Sequence, residues 1–91
     1  MDGVTMTGED QISETQRRLE ILQSQHDPVH PDVIQLRTDL AELTGEQGDL
    51  REAARLYQQL GDDLRNHLGL DSRTLDAYEG MARWIGARGR A

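Results

Sequence analysis

Apolar residues recur along this chain at the spacing of amphipathic helices, and no segment alternates as a strand would. A first helix is predicted from Thr7, which is placed to cap it, to about Gln25. Pro28 and Pro31 break this helix, and a second one begins at Pro31 or Asp32. The apolar positions of these two helices are Ile12, Leu19 and Leu22, followed by Val33, Leu36, Leu40 and Leu43.

Two further helices are predicted in the second half of the chain. Asp49 has Glu52 three residues later, which is the capping-box spacing, so a third helix is expected to begin there and to end at Gly69. Asp71 or Ser72 caps a fourth helix. The expected apolar positions are Leu50, Ala53, Leu56, Tyr57, Leu60, Leu64 and Leu68, then Leu75, Tyr78, Met81, Ala82 and Ile85.

The chain repeats itself with an offset of 41 residues (71 minus 30), which places Asp71 on His30. The first helix then corresponds to the third, and the second helix to the fourth. Matched glycines are expected to end the second and fourth helices, and Ala41, Ala53 and Ala82 to lie where helices cross closely. The matched pairs are Ile12 with Ala53, Leu19 with Leu60, Ile34 with Leu75, Leu40 with Met81, Ala41 with Ala82, Leu43 with Trp84, Gly45 with Gly86 and Gly48 with Gly89.

The predicted fold is all-α, with four antiparallel helices that form about two helical hairpins. Residues 1–8 are expected to be a flexible lead-in, residues 9–87 the helical domain and residues 88–91 a tail. The same helices could instead close around one core, as a compact four-helix bundle that serves in docking or dimerisation. The two arrangements differ in whether Leu64 and Trp84 point inward to a shared core or outward.

The charge of the chain restricts its partners. The formal net charge is −7, and such a surface repels phosphate groups, so nucleic acid and anionic membrane surfaces are disfavoured. The absence of cysteine excludes disulfides and thiolate metal sites. No segment approaches the roughly 20 apolar residues that span a bilayer, and the first residues lack a signal-peptide pattern. A cytoplasmic location is expected, with partners that carry basic patches.

No arrangement of residues in the sequence predicts catalysis or a cofactor. The serines lack a glycine elbow, and the carboxylates are distributed over helix surfaces. His26 and His30 are four residues apart, a spacing that binds metal on a helix, but the prolines beside them break the helical spacing. His30 is instead expected at a helix start, and His67 at the negative end of the third helix. We therefore expect no enzyme activity, no metal site and no cofactor.

Several short motifs extend from residue 30 to residue 69: His30-Pro31-Asp32, Leu40-Ala41-Glu42-Leu43, Gln47-Gly48-Asp49-Leu50-Arg51-Glu52-Ala53, Leu56-Tyr57 and Leu68-Gly69. Together they resemble a tetratricopeptide repeat, closest to the kinesin-light-chain variety, whose units exceed the usual 34 residues. The fourth helix, with Met81-Ala82-Arg83-Trp84, resembles versions found in actinobacterial regulatory proteins. The chain departs from the family at Arg37 and Thr44, where bulky or aromatic residues are usual.

The resemblance implies a short α-solenoid that acts as a non-enzymatic protein–protein interaction scaffold, as a module of a signalling or regulatory protein. In that family the first helix of each unit lines a concave surface, which here would be formed by the second and fourth helices. Because the candidate set is polar and net acidic, the expected partner is a peptide or protein of basic character. The candidate partner-binding residues are Gln35, Thr38, Glu42, Asp76, Glu79 and Arg83.

Trp84 has two interpretations that the sequence leaves open. It is either an interface residue, since aromatic side chains often dominate interfaces, or it packs within the last hairpin. An array this short also leaves apolar helix faces at its ends, so homodimerisation through a terminal helix is a further expectation.

Overall fold

The computed structural model describes residues 7–88, which contain four α-helices and no strand, so the all-α prediction is confirmed. Residues 1–6 of the predicted lead-in and residues 89–91 of the predicted tail lie outside the described residues. Gly8 and Arg88, assigned to the lead-in and the tail, belong to helices. The helices are α1 (Gly8–Gln25), α2 (Pro31–Glu46), α3 (Leu50–Leu68) and α4 (Ser72–Arg88).

Side-chain caps determine where these helices begin. The Thr7 hydroxyl accepts a hydrogen bond from the Asp10 N–H (3.1 Å), and the Asp10 carboxylate accepts one from the Thr7 N–H (3.3 Å), which closes a capping box. Asp49 accepts a hydrogen bond from the Glu52 N–H (3.2 Å), as predicted. The Glu52 carboxylate binds Arg55 instead of completing the box, so α3 begins on the Asp49 cap.

Glycine explains two of the chain reversals. Gly48 after α2 and Gly69 after α3 have φ angles of 100° and 72°, which L side chains rarely adopt. Gly45 and Gly48 bracket the end of α2 at Glu46, as predicted. The fourth helix continues past Gly86 to Arg88, and Gly89 lies outside the described residues. Gly45 also has a packing role, because a Cβ atom there would lie 2.6 Å from the ring of Trp84.

The helices pack against their neighbours in sequence, α1 on α2, α2 on α3 and α3 on α4. The result is a thin body of 49 × 40 × 15 Å. One apolar cluster, around Leu19, Val33 and Leu40, joins α1 to α2. A second cluster joins α2, α3 and α4. The buried members of the second cluster are Ala41, Tyr57, Leu60, Leu64 and Ala77.

Two tyrosine rings pack on glycines of the facing helix. Tyr57 of α3 lies over Gly80 of α4, and Tyr78 of α4 lies over Gly61 of α3. A Cβ atom would approach the ring to 2.6 Å at Gly80 and to 2.8 Å at Gly61. The tyrosines therefore fill the space between α3 and α4, and the absence of a side chain opposite each ring permits the close approach of these two helices.

The predicted apolar face of α4 is wrong at three positions, Leu75, Ala82 and Ile85. Leu75 and Ile85 are 49% and 48% exposed. The α4 residues buried on the inner side are instead small: Thr74, Ala77 and Gly80. At Gly80 the reason is steric, because the Tyr57 ring occupies the space that a larger side chain would need.

The three alanines predicted at helix crossings also differ in their burial. Ala41 and Ala53 are fully buried, whereas Ala82 is exposed, so its predicted role is wrong. Ala82 faces the same side of α4 as Leu75 and Ile85, and no helix among residues 7–88 covers that side.

Candidate functional site

A groove of about 410 Å³ runs between α2 and α4, with α3 at its base. Its two walls are formed by α2 and α4, which correspond to each other in the 41-residue repeat. The groove is lined by Ile34, Gln35 and Thr38 of α2, by Tyr57 and Leu60 of α3, and by Arg73, Asp76, Ala77, Glu79, Gly80 and Arg83 of α4.

The structure brings the six sequence-predicted partner-binding residues together. Five of them line the groove: Gln35, Thr38, Asp76, Glu79 and Arg83. The sixth, Glu42, lies one helical turn beyond the α2 wall and meets the α4 wall through an ion pair.

One carboxylate oxygen of Glu42 accepts hydrogen bonds from three side chains of the next two helices. The Tyr57 hydroxyl donates to it at 2.5 Å and Trp84 Nε1 at 3.1 Å, and the Arg83 guanidinium completes an ion pair. Glu42, Tyr57, Arg83 and Trp84 are called the Glu42 cluster below. The cluster connects α2, α3 and α4 at one end of the groove.

The environment of the Glu42 cluster changes the acidity of two of its members. Burial by itself favours the neutral acid at Glu42, but the hydrogen bonds from Tyr57 and Trp84, with the charge of Arg83, outweigh it. The pKa of Glu42 is therefore lowered from 4.5. Burial, together with the bond to the carboxylate, raises the pKa of Tyr57. Near neutral pH the cluster consists of an ionised acid and a protonated phenol, which is the pairing that the hydrogen bond requires.

The arginines of the groove walls form ion pairs, whereas two acidic residues of the α4 wall do not pair with other described residues. Arg83 is neutralised in the cluster just described, and Arg73 pairs with Asp71 at 2.9 Å. Asp76 and Glu79 are exposed, and neither forms an ion pair with another residue in the range 7–87. The charge left uncompensated in the groove is therefore negative.

A second cleft, of about 380 Å³, extends the acidic surface to the other side of α2. It lies between α1 and α2, and Arg18 in its wall pairs with Glu14 at 3.0 Å. The acidic residues that line this cleft are Glu14, Asp39, Glu42 and Glu46.

Trp84 packs inward. It is half-buried, its ring lies over Gly45 of α2, and its Nε1 donates to Glu42. Of the two interpretations, packing inside the chain agrees with the structure, and the ring contacts α2 as well as the apolar cluster that α2, α3 and α4 share. Leu64 also points inward and is fully buried. Both residues therefore face the core shared by α2, α3 and α4, which is the direction expected for the four-helix-bundle alternative, so the choice between the two arrangements rests on the packing order of the helices.

The histidines take structural positions. The rings of His26 and His30 stack with centroids 3.9 Å apart, a geometry that does not aim their nitrogen atoms at one ion. His30 Nδ1 accepts a hydrogen bond from the Asp32 N–H (3.1 Å) and so caps α2. His67 Nδ1 lies 2.9 Å from the Asp63 carbonyl oxygen near the end of α3. Within residues 7–88, no group of three or more metal-ligating side chains is found.

Two polar residues of this site are absent from the set predicted from the sequence. The Tyr57 hydroxyl donates to Glu42, and Arg73 lines the groove. A signal for the cluster existed, because Glu42 and Arg83 hold the same repeat position with opposite charges.

The helices of residues 7–88 include none with the length and hydropathy needed to cross a membrane. Comparisons of the chain with protein families, with curated proteins and with solved structures find no match.

Proposed function

We propose that this chain is a non-enzymatic interaction module of tetratricopeptide type, whose α2–α4 groove holds a partner peptide or protein segment of basic character. The observation that carries the proposal is the convergence of polar residues from two repeat-equivalent helices on one groove. These residues are Gln35, Thr38, Asp76, Glu79 and Arg83. A role in a signalling or regulatory protein follows from the family resemblance alone.

The packing order supports an open helical stack. A closed four-helix bundle would bring α1 against α4, whereas the extensive contacts among the described residues join α1 to α2, α2 to α3 and α3 to α4. A thickness of 15 Å also suits helices stacked side by side along a groove better than helices around a central core. Packing between neighbours only is the general property of helical repeat proteins.

The charge distribution supports a basic partner. Asp76 and Glu79 are exposed on the groove wall, and the α1–α2 cleft adds Asp39 and Glu46 on the other side of α2. The two arginines of the groove already pair with carboxylates of this chain, so they would attract an anionic partner only weakly. An extended segment with alternating cations would therefore find complementary charges along α2 and α4.

Nuclear magnetic resonance can test this proposal, with the ¹⁵N-labelled chain titrated by an unstructured arginine-rich peptide. We expect amide shifts that concentrate on the groove walls, and none with an acidic peptide of equal length. Glu79→Arg should weaken binding by about tenfold or more, because it replaces attraction by repulsion at the groove wall.

The matched control is Glu20→Arg, which makes the same charge change at an exposed position on α1. This variant should weaken binding much less than Glu79→Arg. Equal weakening by both variants, or shifts spread evenly over every acidic surface, would show nonspecific attraction and contradict the proposal.

A further inference from the structure

The residues that line the α2–α4 groove differ in chemistry according to their depth. The exposed ones are polar or charged and form the rim: Gln35, Arg73, Asp76, Glu79 and Arg83. The others are buried or half-buried and are called the groove floor below: Ile34, Thr38, Tyr57, Leu60, Ala77 and Gly80. The groove lies inside the stack, between two repeat-equivalent helices, so helices added at either end of the array would not cover it.

The groove floor is apolar except for two hydroxyl groups, and both already have partners within the chain. The Thr38 hydroxyl donates to the Ile34 carbonyl oxygen at 2.9 Å, and the Tyr57 hydroxyl donates to Glu42 at 2.5 Å. Each has its only hydrogen bound, so an acceptor group from a partner would find no side-chain donor on the floor. A polar side chain placed there would give up hydrogen bonds to water without replacing them, whereas an apolar one would gain from leaving water.

The rim carries the charge that a partner would meet. Asp76 and Glu79 are exposed, and neither forms an ion pair with another residue in the range 7–87. They are three residues apart on α4, so about 5–6 Å separates their Cβ atoms. In an extended segment the two neighbours of a residue are about 6–7 Å apart, and they point away from the face that the central side chain uses. A segment along the groove therefore directs one side chain to the floor and its two neighbours to the rim.

We propose that the groove recognises a short extended motif of its partner, in which one large apolar residue stands between two basic residues. The apolar side chain lies on the groove floor against Ile34 and Ala77, and the flanking cations pair with Asp76 and Glu79. This inference rests on the proposed function and adds what charge alone does not specify, the chemistry of the residue between the cations.

A single long basic side chain is the competing occupant, because its aliphatic stem could cover the groove floor while its charged head reaches the rim. Since the head must remain at the rim, such a side chain would cover less of the floor than an apolar one of similar size. The two occupants differ in a measurable way, because only the apolar one makes binding depend on the residue between the cations.

Two unstructured peptides of equal length and charge test the proposal. Both have glycine and serine outside the motif, and the motif is arginine–leucine–arginine in one and arginine–glutamine–arginine in the other. In titrations of the labelled chain followed by nuclear magnetic resonance, we expect the leucine peptide to bind about tenfold or more tightly than the glutamine peptide. We also expect nuclear Overhauser effects from the leucine methyl groups to the side chains of Ile34 and Ala77.

Thr38→Met tests the groove floor from the side of the protein. The longer side chain would extend over the floor, so the preference for the leucine peptide should fall to about twofold or less. Thr15→Met on α1 is the matched control, because Thr15 is also half-buried and its hydroxyl also donates to a carbonyl oxygen one turn earlier, at 2.8 Å. This control should keep the full preference, and an equal loss in both variants would overturn the proposal.

The peptide pair separates failure of this inference from failure of the proposed function. Equal binding of both peptides in the groove would leave the proposed function intact, assign the floor to the stem of a basic residue and overturn the inference. Binding of neither peptide up to millimolar concentration would contradict both proposals. Overhauser effects to Ile21 or Leu75 in place of the floor would show that the leucine uses another exposed apolar surface, and would also overturn the inference.

Discussion

Glu42 and Arg83 occupy the same position in consecutive copies of the repeat, 41 residues apart, and their side chains form an ion pair. Identical copies would place like charges at this contact, and these would repel each other. The divergence of the two copies at this position therefore favours their stacking. Tyr57 and Trp84 donate to the same carboxylate oxygen, so α2 is held to both following helices at one point.

Removal of this carboxylate should destabilise the fold. We expect Glu42→Ala to lower the free energy of unfolding by about 1–3 kcal/mol, because the Tyr57 hydroxyl, on a buried residue, loses its acceptor. Glu42→Gln should have a smaller effect, since the amide oxygen still accepts a hydrogen bond. Urea unfolding followed by the fluorescence of Trp84 measures both variants. A Glu42→Ala variant as stable as the native chain would contradict this role of the cluster.

The same contact predicts a pH dependence. Because the pKa of Glu42 is lowered from 4.5 in the folded chain, its ionised form contributes stability above that pH, and the contribution is lost as the pH falls through the folded-state pKa. The stability difference between the native chain and Glu42→Gln should therefore be largest near neutral pH and shrink in acid. Urea titrations at neutral pH and well below the pKa would measure it. A difference that does not change with pH would rule out this linkage.

Two glycine substitutions on α4 should change the free energy of unfolding in opposite directions. Gly80→Ala should lower it by about 1–3 kcal/mol, because the new Cβ atom would meet the Tyr57 ring at 2.6 Å in a packed core. Gly86→Ala should raise it by up to about 1 kcal/mol through helix propensity, since nothing lies within 4 Å of the Cβ position. Thermal unfolding by circular dichroism measures both. Melting temperatures that change in the same direction for both variants would contradict the packing of Tyr57 on Gly80.

Arg37 is a charged residue where the family resemblance leads one to expect a bulky or aromatic one. Its side chain is 13% exposed and pairs with Asp63 of α3 at 2.8 Å. A double-mutant cycle with Arg37→Met and Asp63→Asn should give a coupling of about 0.5–1 kcal/mol that falls with added salt, because Asp63 is 41% exposed.

The exposed pair of Arg17 and Glu14 on α1 provides the control cycle for this measurement. Its coupling should be smaller, since both side chains are more open to solvent than Arg37. A coupling at Arg37 no larger than this control would show that the pair does not contribute to the α2–α3 contact.

Several local features were predictable because their causes lie within a few residues. Thr7 and Asp49 cap their helices with their own side chains, and Gly69 has the backbone conformation that ends α3. The repeat, together with the tetratricopeptide resemblance, also pointed to five residues that line the α2–α4 groove, because equivalent positions on α2 and α4 share a side when the copies stack. The contact of Gly45 with Trp84 was not predictable in this way, since a glycine needed for packing looks the same in the sequence as a glycine that ends a helix.

The sequence by itself determined the four helices, their starts and the 41-residue repeat, because capping and hydrophobic periodicity are local effects. Only the tertiary structure decided which side of α4 is buried and that Glu42 binds Tyr57, Arg83 and Trp84. α4 has apolar residues on two sides, and hydrophobicity does not choose between them. The choice depends on steric fit, since the Tyr57 ring of α3 fits only against a residue as small as Gly80.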